Sequence, residues 1–182
     1  MARAYIGVGS NIDPEMNIPR ALRLLIEAVE VTGISTFYRT AALGDDRQPS
    51  FYNGVFAVET ALPPRELKFC LLRPLEERLG RRRSEDRYLP RTIDLDLLLY
   101  DDLVLNEEDL VLPDPEIARR AFLAVPLCEL APEMILPGDG RAICAIAAQF
   151  HPRSMAALAD FTAQLILKGT AHEQAARART DT

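Results

Sequence analysis

Hydrophobic and polar positions along the 182-residue chain follow two alternating periods. Ala2–Val8, Ile34–Thr40, Phe51–Thr60 and Thr92–Tyr100 are short runs rich in β-branched, aromatic and long aliphatic residues, and each predicts a strand. Between the first two, Ile18, Leu22, Leu25 and Val29 recur at helical spacing, behind Pro19 and up to a stop at Gly33. Between the last two, Leu67, Leu71, Leu75 and Leu79 recur every four residues, behind Pro63 and Pro64 and ahead of Gly80. Pro74 falls inside this second helix and predicts a kink there, at a cost of ~3 kcal/mol; nothing in the sequence accounts for it. Residues 41–50 are expected to form a loop. The order β-α-β-β-α-β predicts an α+β fold of the ferredoxin-like sandwich type.

Helical additions follow the sandwich. Asp101 to Pro115 is acidic and proline-bearing, with a short strand pair expected at Leu103–Leu105 and Leu110–Leu112. Ala121–Leu130 has the uniform hydrophobicity of a buried helix. After a Pro/Gly stretch, helical segments are expected near 141–149 and 154–168. Gly169 to Thr182 is polar and predicts a disordered tail. No internal repeat or long linker divides the chain, so residues 1–168 are expected to form a single domain and 169–182 the tail.

Composition narrows the class. With 48% hydrophobic and 26% charged residues the chain is globular in type, and its net charge of −6 argues against a general nucleic-acid binder. No apolar run approaches the ~18 residues that cross a bilayer, and no apolar segment follows a basic N-terminus, so neither membrane nor secretion is expected. Cys70, Cys128 and Cys144 are odd in number and lack a CxxC spacing, which reads as three reduced thiols of a cytoplasmic protein. His151 and His172 are the two histidines, too few for a zinc centre or a Ser–His–Asp arrangement to be attractive. GVGS at 7–10 resembles the start of a dinucleotide fingerprint, but Ile12 stands where its third glycine would be. A tight strand-to-helix turn through Gly9 and Asn11 is the simpler reading.

The chemistry concentrates in Arg81–Tyr100, RRRSEDRYLPRTIDLDLLLY. Its first half holds Arg81, Arg82, Arg83, Arg87 and Arg91 against two acids. In its second half Asp94 and Asp96 are two apart, so a strand presents both carboxylates on one face, ~7 Å apart, with Ile93, Leu95, Leu97 and Leu99 on the other. Each feature has a plain reading alone: a D-x-D on a solvated sheet face, arginines on a solvated loop, Phe51 and Phe122 in the core, Glu76 paired with Arg73 on its own helix. Together, paired carboxylates suit a hard cation such as Mg²⁺, and neighbouring guanidinium groups suit phosphate.

Three collinear segments, AYIGVGSN, FYRTAALG…QPSFYNGVFAVET and GRRRSEDRYLPRTIDLDLLLY, with AFLAVPLCELAPE behind them, resemble the 6-hydroxymethyl-7,8-dihydropterin pyrophosphokinase family of folate biosynthesis. The likeness runs from about Ala4 to Pro137. It implies the same ferredoxin-like fold and transfer of the β,γ-pyrophosphoryl group of ATP to the pterin hydroxymethyl, releasing AMP. It implies Asp94 and Asp96 as ligands of two Mg²⁺ ions, and Arg81 and Arg91 as catalytic residues beside the phosphates. Glu76, Arg83, Arg87, Tyr88 and Leu97 fall on the ATP side, with Tyr88 replacing a tryptophan seen in some members. On the pterin side Phe51 and Phe122 sandwich the ring, Asn53 reads its edge, and Thr40, Ala42 and Leu43 supply backbone contacts. The partners implied are ATP and a reduced pterin, without nucleic acid or membrane, and a monomer is favoured. Departures lie on the nucleotide side: Asp114–Pro115 replace a His-Pro or His-Tyr, Ser84 replaces a loop lysine, and Asp109–Val111 lacks basic and hydroxyl groups. They leave open a catalytically weakened pterin- or nucleotide-binding paralogue, or a kinase for a related pterin. A two-metal phosphodiesterase is the third alternative.

Overall fold

The computed structural model describes residues 1–42, 48–82, 89–151 and 155–180, with side chains as far as residue 172. An antiparallel sheet forms its centre: β1 (Ala2–Ser10), β2 (Glu30–Ile34), β3 (Tyr38–Thr40), β4 (Phe51–Thr60), β5 (Asp94–Tyr100) and a two-residue β8 (Ala156–Ala157). The strand order is β5-β1-β4-β3-β8, and β2 pairs with the far half of β4. Every pairing is antiparallel, and the fold is α+β.

The strand expected at Ile34–Thr40 is two strands. Ser35 interrupts it, exchanging bonds with Val55: its N–H donates to the Val55 carbonyl (3.0 Å) and its Oγ accepts the Val55 N–H (2.8 Å). The break sends Phe37 fully into the core against Gly54, where a Cβ would stand 2.8 Å from its ring.

Helix α1 (Pro14–Ile26) starts five residues before the expected Pro19, because Pro14 takes the first-turn position, and it ends well short of Gly33. Ile18, Leu22 and Leu25 are its buried stripe, and Val29 follows in the turn. The second helix resolves Pro74. It runs as α2 (Pro64–Glu66), a π-helical stretch (Leu67–Leu72) and α3 (Arg73–Arg78), with the Arg73 N–H donating to the Lys68 carbonyl, five residues back. Pro74 therefore sits in the first turn after a widened one, where its missing N–H and bulky ring are tolerated. The π turn also shifts the buried phase. Leu67, Leu72, Leu75 and Glu76 face inward, while Leu71 and Leu79 are half-buried, so the four-residue repeat read from sequence is not the packing repeat.

One core lies between the sheet and α1, the π turn and α3, and holds Ile6, Val8, Phe56, Leu95 and Leu97. The opposite face carries a second core under α4 (Ala121–Leu130) and α5 (Ile143–Ala147), built on Val55, Leu98 and Leu127. A register shift between Tyr5 and Ile6 moves Leu99 into this second cluster, away from the face predicted by strict alternation. A short hairpin pairs β6 (Leu105–Asn106) with β7 (Val111–Leu112).

Cys128 and Cys144 are joined by a disulfide between α4 and α5, their Cα atoms 4.9 Å apart. This corrects the reading of three reduced thiols; Cys70 alone is free and exposed. The pairing arises from helix packing across 16 residues, for which the spacing carries no signature. The cysteines therefore no longer argue for a cytoplasmic setting. Helix α6 (Ala159–Thr180) packs on α1, with Leu165 buried and Gly169 so close that an added Cβ would reach van der Waals contact with Leu22. The backbone is thus helical where composition expects a disordered tail from Gly169, and β8 occupies the start of the segment expected to be helical from 154. No helix among the described residues is long and apolar enough to cross a membrane.

Candidate active site

The register of β1 with its two neighbours assembles the site. Gly9 stands between Asn53 of β4 and Asp94 of β5, and Gly7 stands beside Asp96. Residues opposite one another in register share a face, so Asp94, Asp96 and Asn53 all project on the side of the sheet under α4. The glycines there leave a bare floor, and a cavity of about 640 Å³ opens above it. Gly9 is thus a strand residue rather than the turn glycine expected from sequence. A Cβ on it would lie 2.7 Å from Asn53 Oδ1. Asn53 Nδ2 donates to Thr40 Oγ1 (2.7 Å), and both residues are buried.

The turn after β1 holds the arginine segment in place. Asn11 and Ile12 donate their N–H groups to the Arg91 carbonyl (3.2 Å each), Asn11 Oδ1 accepts the Arg91 N–H (2.8 Å), and Ser10 Oγ donates to the Thr92 carbonyl (2.6 Å). Asn11 is therefore a supporting residue of the site.

Charge in the cavity is organised around Asp94. Its Oδ1 accepts from Arg81 and its Oδ2 from Arg91. Burial works to raise its pKa, but these two guanidinium groups prevail and hold it below the ordinary aspartate value. Arg81 also donates to Glu76, which Arg73 meets from the other side at 3.0 Å. Burial pushes the Glu76 carboxyl up to about 7, against the opposing pull of Arg81. Asp96 differs: among the described residues no hydrogen bond or ion pair reaches its carboxylate. Burial first, then the Asp94 charge, raise it to about 7. Asp114 lines the same cavity, accepts the Glu116 N–H at 2.8 Å and is also raised by burial. Arg119 and Arg120, which could have neutralised it, pair with Glu116 instead.

The cavity brings Arg81, Arg91, Asp94 and Asp96 together with Thr40, Phe51, Asn53 and Phe122. Arg91 stacks over the Phe51 ring at 5.9 Å. Leu97 is placed differently: its side chain lies in the core beneath the helices, on the face opposite Asp96. Ala41 lines the cavity while Ala42 is buried beside it. Leu43, Arg83, Arg87 and Tyr88, with Ser84, lie outside the described residues. The Arg73–Glu76 pairing expected from their spacing on one helix is present, but sequence reasoning did not place Arg73 on the cavity wall.

The donor set suits a divalent cation. Asp96 is a half-buried carboxylate facing two like charges, Asp94 and Asp114, and among the described residues no cation is bonded to it; a metal ion would relieve that repulsion. No cluster of three or more His, Cys, Asp or Glu capable of caging a metal occurs among the described residues. Two carboxylates without a cage fit Mg²⁺, which draws its remaining oxygens from water and substrate phosphates.

The fold and cavity define an α+β protein with a carboxylate–guanidinium centre at one end of its sheet, suited to polyphosphate and a flat ring. Residues 5–132 match the family model described as 7,8-dihydro-6-hydroxymethylpterin-pyrophosphokinase (HPPK). The 2-amino-4-hydroxy-6-hydroxymethyldihydropteridine pyrophosphokinase of Synechocystis is 38% identical over 143 residues, covering 77% of this chain and 72% of that protein. That of Methylorubrum extorquens is 41% identical over 143 residues, covering 76% and 89%. That of Haemophilus influenzae is 35% identical over 158 residues, covering 85% and 97%. The solved Plasmodium falciparum HPPK-DHPS shares the fold with a TM-score of 0.66 at 13% identity, over 81% of this chain and 43% of that one, so this chain spans less than half of it. The chain belongs to the 7,8-dihydro-6-hydroxymethylpterin-pyrophosphokinase family.

Proposed function

We propose that this protein transfers pyrophosphate from ATP to the hydroxymethyl group of 6-hydroxymethyl-7,8-dihydropterin and releases AMP, a step of folate biosynthesis. One observation carries the reading: the Asp94–Asp96 face of β5 and the Asn53 end of β4 open into one cavity across a glycine floor. That brings a cation-binding and phosphate-binding centre beside a ring-binding one. The pterin hydroxyl oxygen forms a bond to the β-phosphorus, the bond from that phosphorus to the α,β-bridging oxygen breaks, and AMP leaves with that oxygen. The hydroxyl proton passes to water.

Asp94 and Asp96 would hold Mg²⁺, two ions on the family pattern; bound there, the metal neutralises phosphate charge and lowers the pKa of the attacking hydroxyl. Arg81 and Arg91 direct guanidinium donors at the oxygens on which charge develops. Phe51 and Phe122 stack on the pterin and Asn53 reads its polar edge, while the backbone from Thr40 to Leu43 borders the ring. Arg83, Arg87 and Tyr88 belong to the nucleotide side of the same reading; Glu76 stands behind that side, and Leu97, whose side chain lies in the opposite core, would border it through its backbone alone. The order β5-β1-β4, with β2 and β3 beyond, supports a ferredoxin-like βαββαβ sandwich. We read residues 1–168 as one domain. Both substrates meet in one cavity, which supports a monomer, and dependence on ATP supports a cytoplasmic setting.

Pterin-dependent AMP release from ATP and Mg²⁺, followed by chromatography, tests the proposal; ADP, or no AMP, refutes it. One observation favours a second reading, a catalytically weakened binding protein: Asp114 adds a carboxylate to the cavity that Arg119 and Arg120 do not neutralise. Calorimetry showing pterin binding without ATP binding or turnover would select it.

A further inference from the structure

We propose that Glu76 is a positioning residue, which sets the spacing of Asp94 and Asp96 and aims Arg81 into the cavity without itself touching the nucleotide. The inference rests on the pyrophosphokinase reading of this cavity and assigns Glu76 a role within it. The π turn faces Glu76 inward, and its side chain is 1% exposed. Among the described residues its oxygens meet Leu95, Arg81 and Arg73, each leading to the site. Oε1 accepts the N–H of Leu95 at 2.8 Å, the residue between the two aspartates. The same oxygen accepts from Arg81, which also donates to Asp94, and Oε2 accepts from Arg73 on the cavity wall.

Strand β5 is at the edge of the sheet, so the outward Leu95 N–H has no neighbouring strand to receive it. Glu76 takes the place of that strand at the one peptide separating the two carboxylates. Its charge also divides Arg81 between two carboxylates, which weakens the hold of Arg81 on Asp94 and leaves Asp94 able to accept a cation. Buried ion networks are poor sources of stability compared with apolar residues of the same shape. An acid at this position is better explained by what it orients than by what it stabilises.

Glu76→Gln keeps the shape and the acceptor for Leu95 but removes the charge; Glu76→Met removes both. Mn²⁺ binding is measured with α,β-methylene-ATP present, alongside pterin binding, thermal unfolding and turnover. Groups that orient a metal's ligands are worth about 10–100-fold in affinity or activity. We expect Glu76→Gln to unfold within a few degrees of the parent, to weaken Mn²⁺ about tenfold or more, and to leave the pterin dissociation constant unchanged. Because Glu76 acts through Arg81, the glutamine should matter little to turnover once Arg81→Met is in place. Unchanged Mn²⁺ binding, additive effects in that cycle, or weakened nucleotide binding measured without metal would each overturn the proposal. Loss of the fold in both variants would assign Glu76 to the core and overturn it too. If the unmodified protein makes no AMP, the pyrophosphokinase reading fails, while the Mn²⁺ comparison still decides the role of Glu76.

Discussion

Asp94 and Arg91, three residues apart where the arginine segment enters β5, form an ion pair, and Arg81 occupies the other oxygen of the same carboxylate. On the proposed reading, a metal ion and two guanidinium groups would compete for Asp94 when no polyphosphate is present. Polyphosphate would resolve the competition by drawing the arginines onto its own oxygens and offering further ligands to the metal. Replacing Arg91 by Met should then tighten Mn²⁺ measured without nucleotide, by about tenfold, ~1.4 kcal/mol, while turnover falls. Calorimetric titration of the ligand-free variant checks this. If Arg91 served phosphate alone, the metal isotherm would not move.

Gly9 should be as sensitive as any charged residue. A Cβ there meets Asn53 Oδ1 at 2.7 Å, and Asn53 is tied to Thr40, so the carboxamide must shift. Gly9→Ala is expected to weaken pterin binding about tenfold or more while leaving ATP-analogue binding close to the parent value, since one displaced hydrogen bond is worth ~1–3 kcal/mol. Fluorescence titration with pterin and calorimetry with the nucleotide analogue separate the two. Equal weakening of both ligands would mean that the floor of the cavity has collapsed.

Asp94 and Asp96 were legible in sequence because a period of two is a local pattern, as are the strands; the run of arginines is local too, but only the family resemblance singled out Arg81 and Arg91 within it. What escaped depended on contacts between distant residues. The π turn that reconciles Pro74 and turns Glu76 inward has no local signature, and the four-leucine repeat points to an ordinary helix. Gly9 has the composition of a turn residue, and only its pairing with Asn53 and Asp94 reveals the floor of a cavity. The Cys128–Cys144 bond depends on how α4 and α5 pack, and Leu99 changed faces because of a register shift in β1.

The disulfide should support the wall that carries Phe122. Cys128 lies at the far end of α4 from Phe122, and the bond fastens that helix to α5. Closing a loop of this size stabilises a fold by ~3 kcal/mol in the chain-entropy account. Reduction, or Cys128→Ser with Cys144→Ser, is expected to lower the thermal midpoint by several degrees with the far-ultraviolet circular dichroism unchanged at 25 °C. An unchanged midpoint would show that helix packing suffices without the bond.

Tyr38 fastens α4 from its other side, and it makes stability depend on pH in the alkaline range. Its hydroxyl donates to Glu129 of α4, which also accepts the Thr36 N–H at 2.8 Å. Burial, reinforced by the Glu129 bond, pushes the Tyr38 pKa from 10.0 up to about 12. The folded protein thus keeps a proton that the unfolded chain loses above pH ~10. The stabilisation from this residue is fully present below pH 10, declines as pH rises between 10 and 12, and is absent above. Urea unfolding of the parent protein and Tyr38→Phe across pH 8 to 12 isolates it, because the other tyrosines titrate in both. The stability difference should be constant to about pH 10 and then shrink towards zero. A difference that stays flat across the range would mean that Tyr38 contributes through packing alone, and that Glu129 holds α4 through Thr36.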